Sequence, residues 1–312
     1  MENILHVNNL TKSFAGKTVV DSISFNVERG KIMGLLGPNG AGKTTAIRMI
    51  MGILSPNAGT INFYLNGNAT TMDKSKIGYL PEERGLYDDA KVLESLTYLG
   101  ELKGMSRAKA KEESLKWLHK VNLSEYGQQK LEKLSKGMQQ KIQFIAAVLH
   151  KPALVMLDEP FSGLDPINQD FLKATILELQ KEGITVMISA HQMSLVEELC
   201  DSIFMINKGK QVLSGDLERI KSDFKEHKIA IKFAPGEDIS FLEQLPEVKI
   251  EEQRRNSARL RHTGSTLINN FLREISDRIN LEEITVEKPP LHDIFIQTAR
   301  ERGEVVEEHE IG

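Results

Sequence analysis

A single cysteine, Cys200, occurs in the 312 residues, so no intrachain disulfide can form and no cysteine pair exists to hold zinc. Its place between Leu199 and Asp201, in a helical pattern, reads as a core thiol. No uninterrupted apolar run approaches the roughly 18 residues needed to cross a bilayer. Met1-Glu2-Asn3 opens neither a signal peptide nor an amphipathic transit sequence, so the chain is expected in the cytoplasm with no span of its own. Basic charge is not in excess either. The 40 lysines and arginines stand against 44 aspartates and glutamates, and a net charge of −4 removes the electrostatic case for a nucleic-acid partner. What remains is 40% hydrophobic and 27% charged, the make-up of a soluble globular protein with room for one large domain and a small one.

The chain is organised around Gly37-Pro38-Asn39-Gly40-Ala41-Gly42-Lys43-Thr44-Thr45, which has the spacing G-x-x-x-x-G-K-T and follows the apolar run Ile32 to Leu36. Glycines at these positions let successive backbone N–H groups turn inward around phosphate oxygens without Cβ clashes. Lys43 then reaches the β- and γ-phosphates, Thr44 offers a hydroxyl to a bridging Mg²⁺, and Thr45 begins a helix whose N-terminal end faces the anion. The segment reads as a nucleoside triphosphate site.

Short β signals fill residues 4 to 36, with Ile23, Phe25 and Val27 on one strand face, and suggest a small sheet leading into the loop. A turn at residues 55 to 59 precedes strands at Thr60 to Phe63 and Ile77 to Pro81. Residues 89 to 150 favour helix, with Trp117 and Leu118 in one amphipathic segment and Ile142, Ile145, Ala146 and Leu149 on one face of another. Buried-strand runs at Leu154 to Leu157 and Ile184 to Ile188 flank a helix from Phe171 to Lys181, an order that implies a parallel sheet. The first domain is therefore expected to be α/β and to span residues 1–220.

Residues 221–300 read as a separate α+β unit. Strands are expected at Lys228 to Phe233, Val248 to Glu252, Ala258 to Arg261 and Ile284 to Glu287, with helices near Phe241 and from Leu267 to Ile279. The second helix carries Leu267, Ile268, Phe271, Leu272, Ile275 and Ile279 as one stripe. This split βαβ order points to a ferredoxin-like domain. A helix from Leu291 to Arg300 and an acidic tail over 301–312 complete the chain.

Two further motifs define the nucleotide chemistry. Leu154 to Leu157 ends in Asp158-Glu159-Pro160; Asp158 can hold Mg²⁺ through water, and Glu159 can orient and deprotonate an attacking water. Leu134-Ser135-Lys136-Gly137-Met138 opens a long helix with a serine and a glycine at its anion-binding end. Asn207-Lys208-Gly209-Lys210, the nearest approach to a guanine reader, ends in lysine where aspartate is needed, which argues against a GTPase.

With the phosphate loop, Leu134 to Gly137, Asp158-Glu159, Ser162-Gly163-Leu164-Asp165 and His191 in this order, residues 4 to 215 resemble the ABC transporter ATPases. The resemblance implies a P-loop ABC ATPase fold, with a mixed or parallel sheet and a helical subdomain over about 89–150, that hydrolyses ATP with Mg²⁺. It implies a head-to-tail homodimer in which each ATP lies between one subunit's phosphate loop and the other's Ser135 and Gly137. Asp165 would touch the partner, His191 the γ-phosphate, and Phe14 the adenine. A separate membrane subunit would carry the passage for cargo.

Two departures stand out. Glu82 follows Gly78-Tyr79-Leu80-Pro81 where the family usually has a metal-ligating glutamine, and Lys136 and Met138 replace the usual glycine and glutamine of the signature. The run Pro81 to Tyr87, this signature and the extra C-terminal domain resemble the sodium-efflux branch of ABC exporters; export of antibiotics, peptides or lipids shares the same pattern. Arg84, Leu86 and Tyr87 are expected at the membrane-subunit contact, although Leu86 suits the core nearly as well. A soluble ABC ATPase acting on ribosomes or DNA is the competing class, but such proteins generally carry two cassettes or a long coiled-coil insertion. For the C-terminal unit, a dimer contact or simple packing is expected ahead of a regulatory ligand site.

Overall fold

Three strands of the first unit, Ile32–Leu36, Leu154–Asp158 and Thr185–Ala190, are buried along their whole length, and their residues are mostly apolar because both faces are covered. The computed structural model describes residues 2–301 apart from 66–67, 71, 84, 225, 246 and 264–267. The predicted Arg84 contact, Leu267 of the helical stripe and residues 302–312 of the tail lie outside the described residues. The chain divides into two compact units at Asp216 and Leu217.

The first unit contains strands β1 (Asn3–Phe14), β2 (Lys17–Glu28) and β3 (Ile32–Leu36), helix α1 (Lys43–Ile50), and strands β4 (Ala58–Leu65), β5 (Asn68–Thr70) and β6 (Ile77–Leu80). Helices α2 (Val92–Leu102), α3 (Arg107–Lys120) and α4 (Lys136–Val148) follow. Strand β7 (Leu154–Asp158), α5 (Pro166–Lys181), β8 (Thr185–Ala190), α6 (Met193–Leu199), β9 (Ser202–Asn207) and β10 (Lys210–Asp216) complete it. The order β2-β1-β4-β5 forms an antiparallel sheet, and β10-β9-β3-β8-β7-β6 forms a central one, parallel from β9 to β6 with β10 antiparallel at its edge. The strand that leads into the phosphate loop thus belongs to the central sheet, not to the small one expected at the N-terminus. In register, Leu36 pairs with Ala190 and Asp158 with Ser189, so β3, β7 and β8 deliver their C-terminal ends to one edge.

Between β6 and β7, Val92, Leu96, Leu118, Ile142 and Ile145 close a separate apolar cluster among α2, α3 and α4. Helix α4 is buried on more than its predicted face, because Phe144, Ala147 and Val148 are covered as well. Cys200 lies just past α6 as its C-cap, rather than inside a helix, and its buried thiol is pushed up in pKa chiefly by that burial.

The second unit begins with α7 (Leu217–Asp223) and continues through β11 (His227–Phe233), β12 (Val248–Arg254), β13 (Ser257–His262), α8 (Ile268–Arg278), β14 (Leu281–Glu287) and α9 (Leu291–Glu301). Its sheet order is β12-β13-β11-β14 with every neighbour antiparallel, the split βαβ arrangement. The helix expected near Phe241 is only a 3₁₀ turn, Ser240–Gln244, started by Asp238, which accepts a hydrogen bond from Ser240 N at 2.9 Å. Five residues bury just Leu242, too little apolar surface to hold a longer helix. Phe271 and Ile275 of α8 pack with Ile229, Ile231, Phe233 and Leu260 in this unit's core.

His262 sits in that core, 2% exposed, paired across the strands with His227 and ring-stacked on Phe271 at 4.9 Å. Burial holds its imidazole below the ordinary value of 6.5; His227 acts in the same sense, while Glu247, 3.7 Å away, opposes both. A depressed folded-state pKa means that the unfolded chain binds the proton first, so this contribution is intact above 6.5 and lost as pH falls below it. The protection factors of the β11 and β13 amides, taken relative to intrinsic exchange at each pH, are expected to fall between about pH 7.5 and 5, and His262→Gln to flatten that dependence. An unchanged pH response in the variant would assign it to other groups.

Candidate active site

The phosphate loop is shaped by what surrounds it. Gly37 has φ +154, and a Cβ there would lie 2.1 Å from the carbonyl oxygen of Ile206; at Gly42, φ +111, it would lie 2.8 Å from that of Val19. Only glycine fits either place. Helix α1 begins at Lys43, two residues before the expected Thr45, with Gly42 as its N-cap. The loop from Asn39 to Thr45, with Val19, Glu82 and Glu159, lines a cavity of ≈ 300 Å³. Gly37 and Pro38 meet the site through their carbonyls: buried Lys43 donates from Nζ to Gly37 O at 2.7 Å and Pro38 O at 3.2 Å, and lies 3.2 Å from Glu159 Oε1.

Strand β7 ends in the paired carboxylates. Asp158 is fully buried, and Glu159, 8% exposed, takes φ +48, a left-handed turn that changes the chain's direction directly after the strand. Ser189 Oγ donates to Asp158 Oδ1 at 2.5 Å and accepts from Glu159 N at 2.9 Å, tying both acids to β8. Thr44 Oγ1 stands 3.3 Å from Asp158 Oδ1 and 3.4 Å from Glu82 Oε2, and its one proton can serve only one of them at a time. Burial pushes the Asp158 carboxyl up, hydrogen bonds from Ser189 and Thr44 oppose it, and the charges of Glu82 and Glu159 push it further up. Asp158 Oδ2 is buried without a hydrogen-bond partner.

That orphaned oxygen tests the expected divalent cation. A hydroxyl and two carboxylates are hard oxygen donors of the kind Mg²⁺ takes, alongside phosphate and water. Among the described residues no group of three or more histidine, cysteine, aspartate or glutamate side chains forms an all-protein cage. The donor set therefore fits a cation that also has ligands from outside the protein.

His191 follows β8, and its Nδ1 lies 2.9 Å from Glu159 Oε2, so the carboxylate is held between an imidazole and the Lys43 ammonium. Other expected residues lie apart from this convergence. Ser135 caps α4, accepting from Met138 N at 3.3 Å, and is exposed. A Cβ on Gly137 would come within 3.5 Å of Asn168 Nδ2, which makes the starts of α4 and α5 neighbours. Asp165 caps α5, and the Asn168 N–H bond at 3.0 Å holds its carboxyl below the usual range. Phe14 is 44% exposed at the end of β1, with the Lys12 ammonium 5.2 Å from its ring centre, so it is not a core residue. Neither Ser135, Gly137, Asp165 nor Phe14 lines the phosphate-loop cavity.

Two contributors escaped the sequence reading. Ser189 sits in a buried, mostly apolar strand, where a hydroxyl near the strand's end was the available signal. Gln140 Nε2 donates to Pro160 O at 3.1 Å, joining the signature helix to the end of the paired-acid segment.

Residues 20–162 match the family described as ABC transporter, and residues 215–299 the family described as ATP-binding protein DrrA1-3-like, C-terminal domain. Uncharacterized ABC transporter ATP-binding protein YhaQ of Bacillus subtilis (strain 168) is 40% identical over 94% of this chain and 98% of its own length. Linearmycin resistance ATP-binding protein LnrL of the same strain is 32% identical over 94% and 97%. A solved ATP binding subunit of an ABC transporter superposes with a TM-score of 0.65 at 30% identity, covering 71% of this chain and 93% of that one. A phosphate loop, paired acids and a following histidine on one sheet edge, together with full-length relatives of this kind, mean that the chain belongs to the ABC transporter ATP-binding proteins, the subunits that hydrolyse ATP to power transport.

Proposed function

We propose that two copies of this chain close head to tail on two ATP molecules and drive export through a separate membrane subunit, from the cytoplasmic face of the membrane. The observation that carries the reading is a separation: Lys43, Asp158, Glu159 and His191 converge, while Ser135 and Gly137 stand at another, exposed helix start. Two anion-binding helix ends that do not share a cavity are complementary halves of a site completed by a second copy.

In this reading, the loop N–H groups and Lys43 bind the phosphates, Phe14 stacks on adenine, and Asp165 meets the partner subunit. Glu159 takes the proton of the attacking water at one carboxylate oxygen, while His191 holds the other and reaches toward the γ-phosphate. Thr44, Glu82 and Asp158 would hold Mg²⁺, which when bound offsets phosphate charge. Residues up to about 220 supply this chemistry, and the C-terminal unit is an accessory that packs or supports the dimer. Gel filtration of Glu159→Gln with saturating Mg-ATP tests the pairing; a species that stays monomeric with the membrane subunit present would overturn it.

No described helix is long and apolar enough to cross a membrane, and in this reading the force passes to the separate membrane subunit. Tyr87 is 80% exposed, and Tyr98 and Leu102, one turn apart on α2, are 54% and 62% exposed. Leu86, by contrast, packs against the helical cluster, which favours its core role. Tyr87→Ala is expected to keep ATP binding and to cost about 2 kcal/mol in affinity for the membrane subunit, the scale of an aromatic anchor. Unchanged co-purification and export would place the docking surface elsewhere.

For cargo, the relative named for linearmycin resistance, matched through both units, favours an antibiotic. The Pro81 to Tyr87 run supports sodium efflux as the second reading. Cells lacking the gene would lose antibiotic tolerance in the first case and sodium tolerance in the second.

A further inference from the structure

Glu82 and Asp158 approach the Thr44 hydroxyl from different elements, at 3.4 and 3.3 Å. Among the described residues, neither carboxylate has a salt-bridge partner. Lys43, the nearest buried cation, is turned to Gly37 O, Pro38 O and Glu159 Oε1. Ser189 supplies Asp158 Oδ1 alone, and Oδ2 remains buried and unpartnered on a residue with no exposed surface. Two carboxylates thus meet beside a neutral hydroxyl oxygen, and among the described residues no cation stands within salt-bridge distance of either.

A glutamine at position 82 would bring the same reach with a neutral oxygen, leaving Asp158 as the one charge in the set. A dication would then depend on phosphate for most of its attraction. With Glu82 the protein's own donors carry two negative charges, and a divalent cation is attracted before any phosphate arrives. The same charge disfavours a phosphate chain that comes without its cation.

We infer that Thr44, Glu82 and Asp158 capture a divalent cation in the absence of nucleotide, with Glu82 as the residue that makes this possible, so that the cation loads first and ATP second. The inference rests on reading these three residues as the cation-holding group of the ATPase site.

Mn²⁺ is the probe, because its free ion gives a sharp paramagnetic resonance signal that vanishes on binding. The full-length wild-type chain, free of nucleotide, is expected to suppress one equivalent of that signal, and added Mg²⁺ to restore it. Glu82→Gln should weaken Mn²⁺ binding roughly tenfold or more, and Asp158→Asn should remove it, with circular dichroism confirming that both fold. A parallel titration with a fluorescent ATP analogue and Mg²⁺ separates the two levels of the argument. Normal analogue binding with no Mn²⁺ uptake before nucleotide would overturn metal-first loading and leave the ATPase site standing. Wild-type Mn²⁺ affinity in Glu82→Gln would overturn the role of Glu82. Loss of both analogue and Mn²⁺ binding in the wild-type chain would overturn the inference and the site together.

Discussion

Glu159→Gln is expected to bind Mg-ATP and to turn it over roughly 10²- to 10⁴-fold more slowly, the range for losing a general base. The amide keeps the size of the carboxylate and can still meet His191, which stands 2.9 Å from Oε2. It cannot accept a proton from water. It also removes the negative charge 3.2 Å from Lys43, which frees that ammonium for phosphate, so binding should be retained or tightened. Phosphate release in a single-turnover experiment reads the chemical step directly. A variant that cleaves ATP at close to the wild-type rate would strip Glu159 of the role, whatever its affinity.

Equal mixing of Lys43→Ala and Ser135→Arg chains should recover activity that neither variant has alone. Lys43 begins one helix and lines the phosphate-loop cavity, and Ser135 caps another that does not line it. In a head-to-tail pair of unlike variants, one site collects both lesions and the other collects none. Random pairing makes half of the dimers mixed, so about a quarter of the wild-type sites should be intact. Each variant alone is expected at background. If subunit exchange is demonstrated and activity stays at background, each chain must build its site without the other.

The parts of the site legible in the sequence are those whose geometry is local. Gly37 to Thr45 and Asp158-Glu159 are contiguous, so spacing alone set their shape. Ser189 was not legible, because its role depends on the pairing of Asp158 with Ser189 across two strands, which is tertiary information. The same holds for Gln140, whose partner Pro160 lies on another element. Periodicity found α8 because its stripe is long; near Phe241 it overreached, since five residues cannot sustain a helix. The order of strands in the second unit was readable, but the limits of individual strands were not. β14 starts at Leu281 rather than Ile284, since backbone pairing to β11 carries it through the exposed Glu282 and Glu283 to Leu281, which packs on the core.

The phosphate loop is written early in the chain and supported late. Strand β3 is flanked by β8 and β9, Gly37 is pressed against the Ile206 carbonyl, and Gly209 donates its N–H to Ala41 O at 3.0 Å. On the ribosome the whole motif emerges with Thr45, yet about 160 further residues must be made before Gly209 can brace it, on the order of ten to thirty seconds of translation. Nascent chains that stall before β8 therefore display the complete motif without the fold that gives it affinity. Nucleotide is expected to stabilise the chain only once the β9–β10 hairpin has closed.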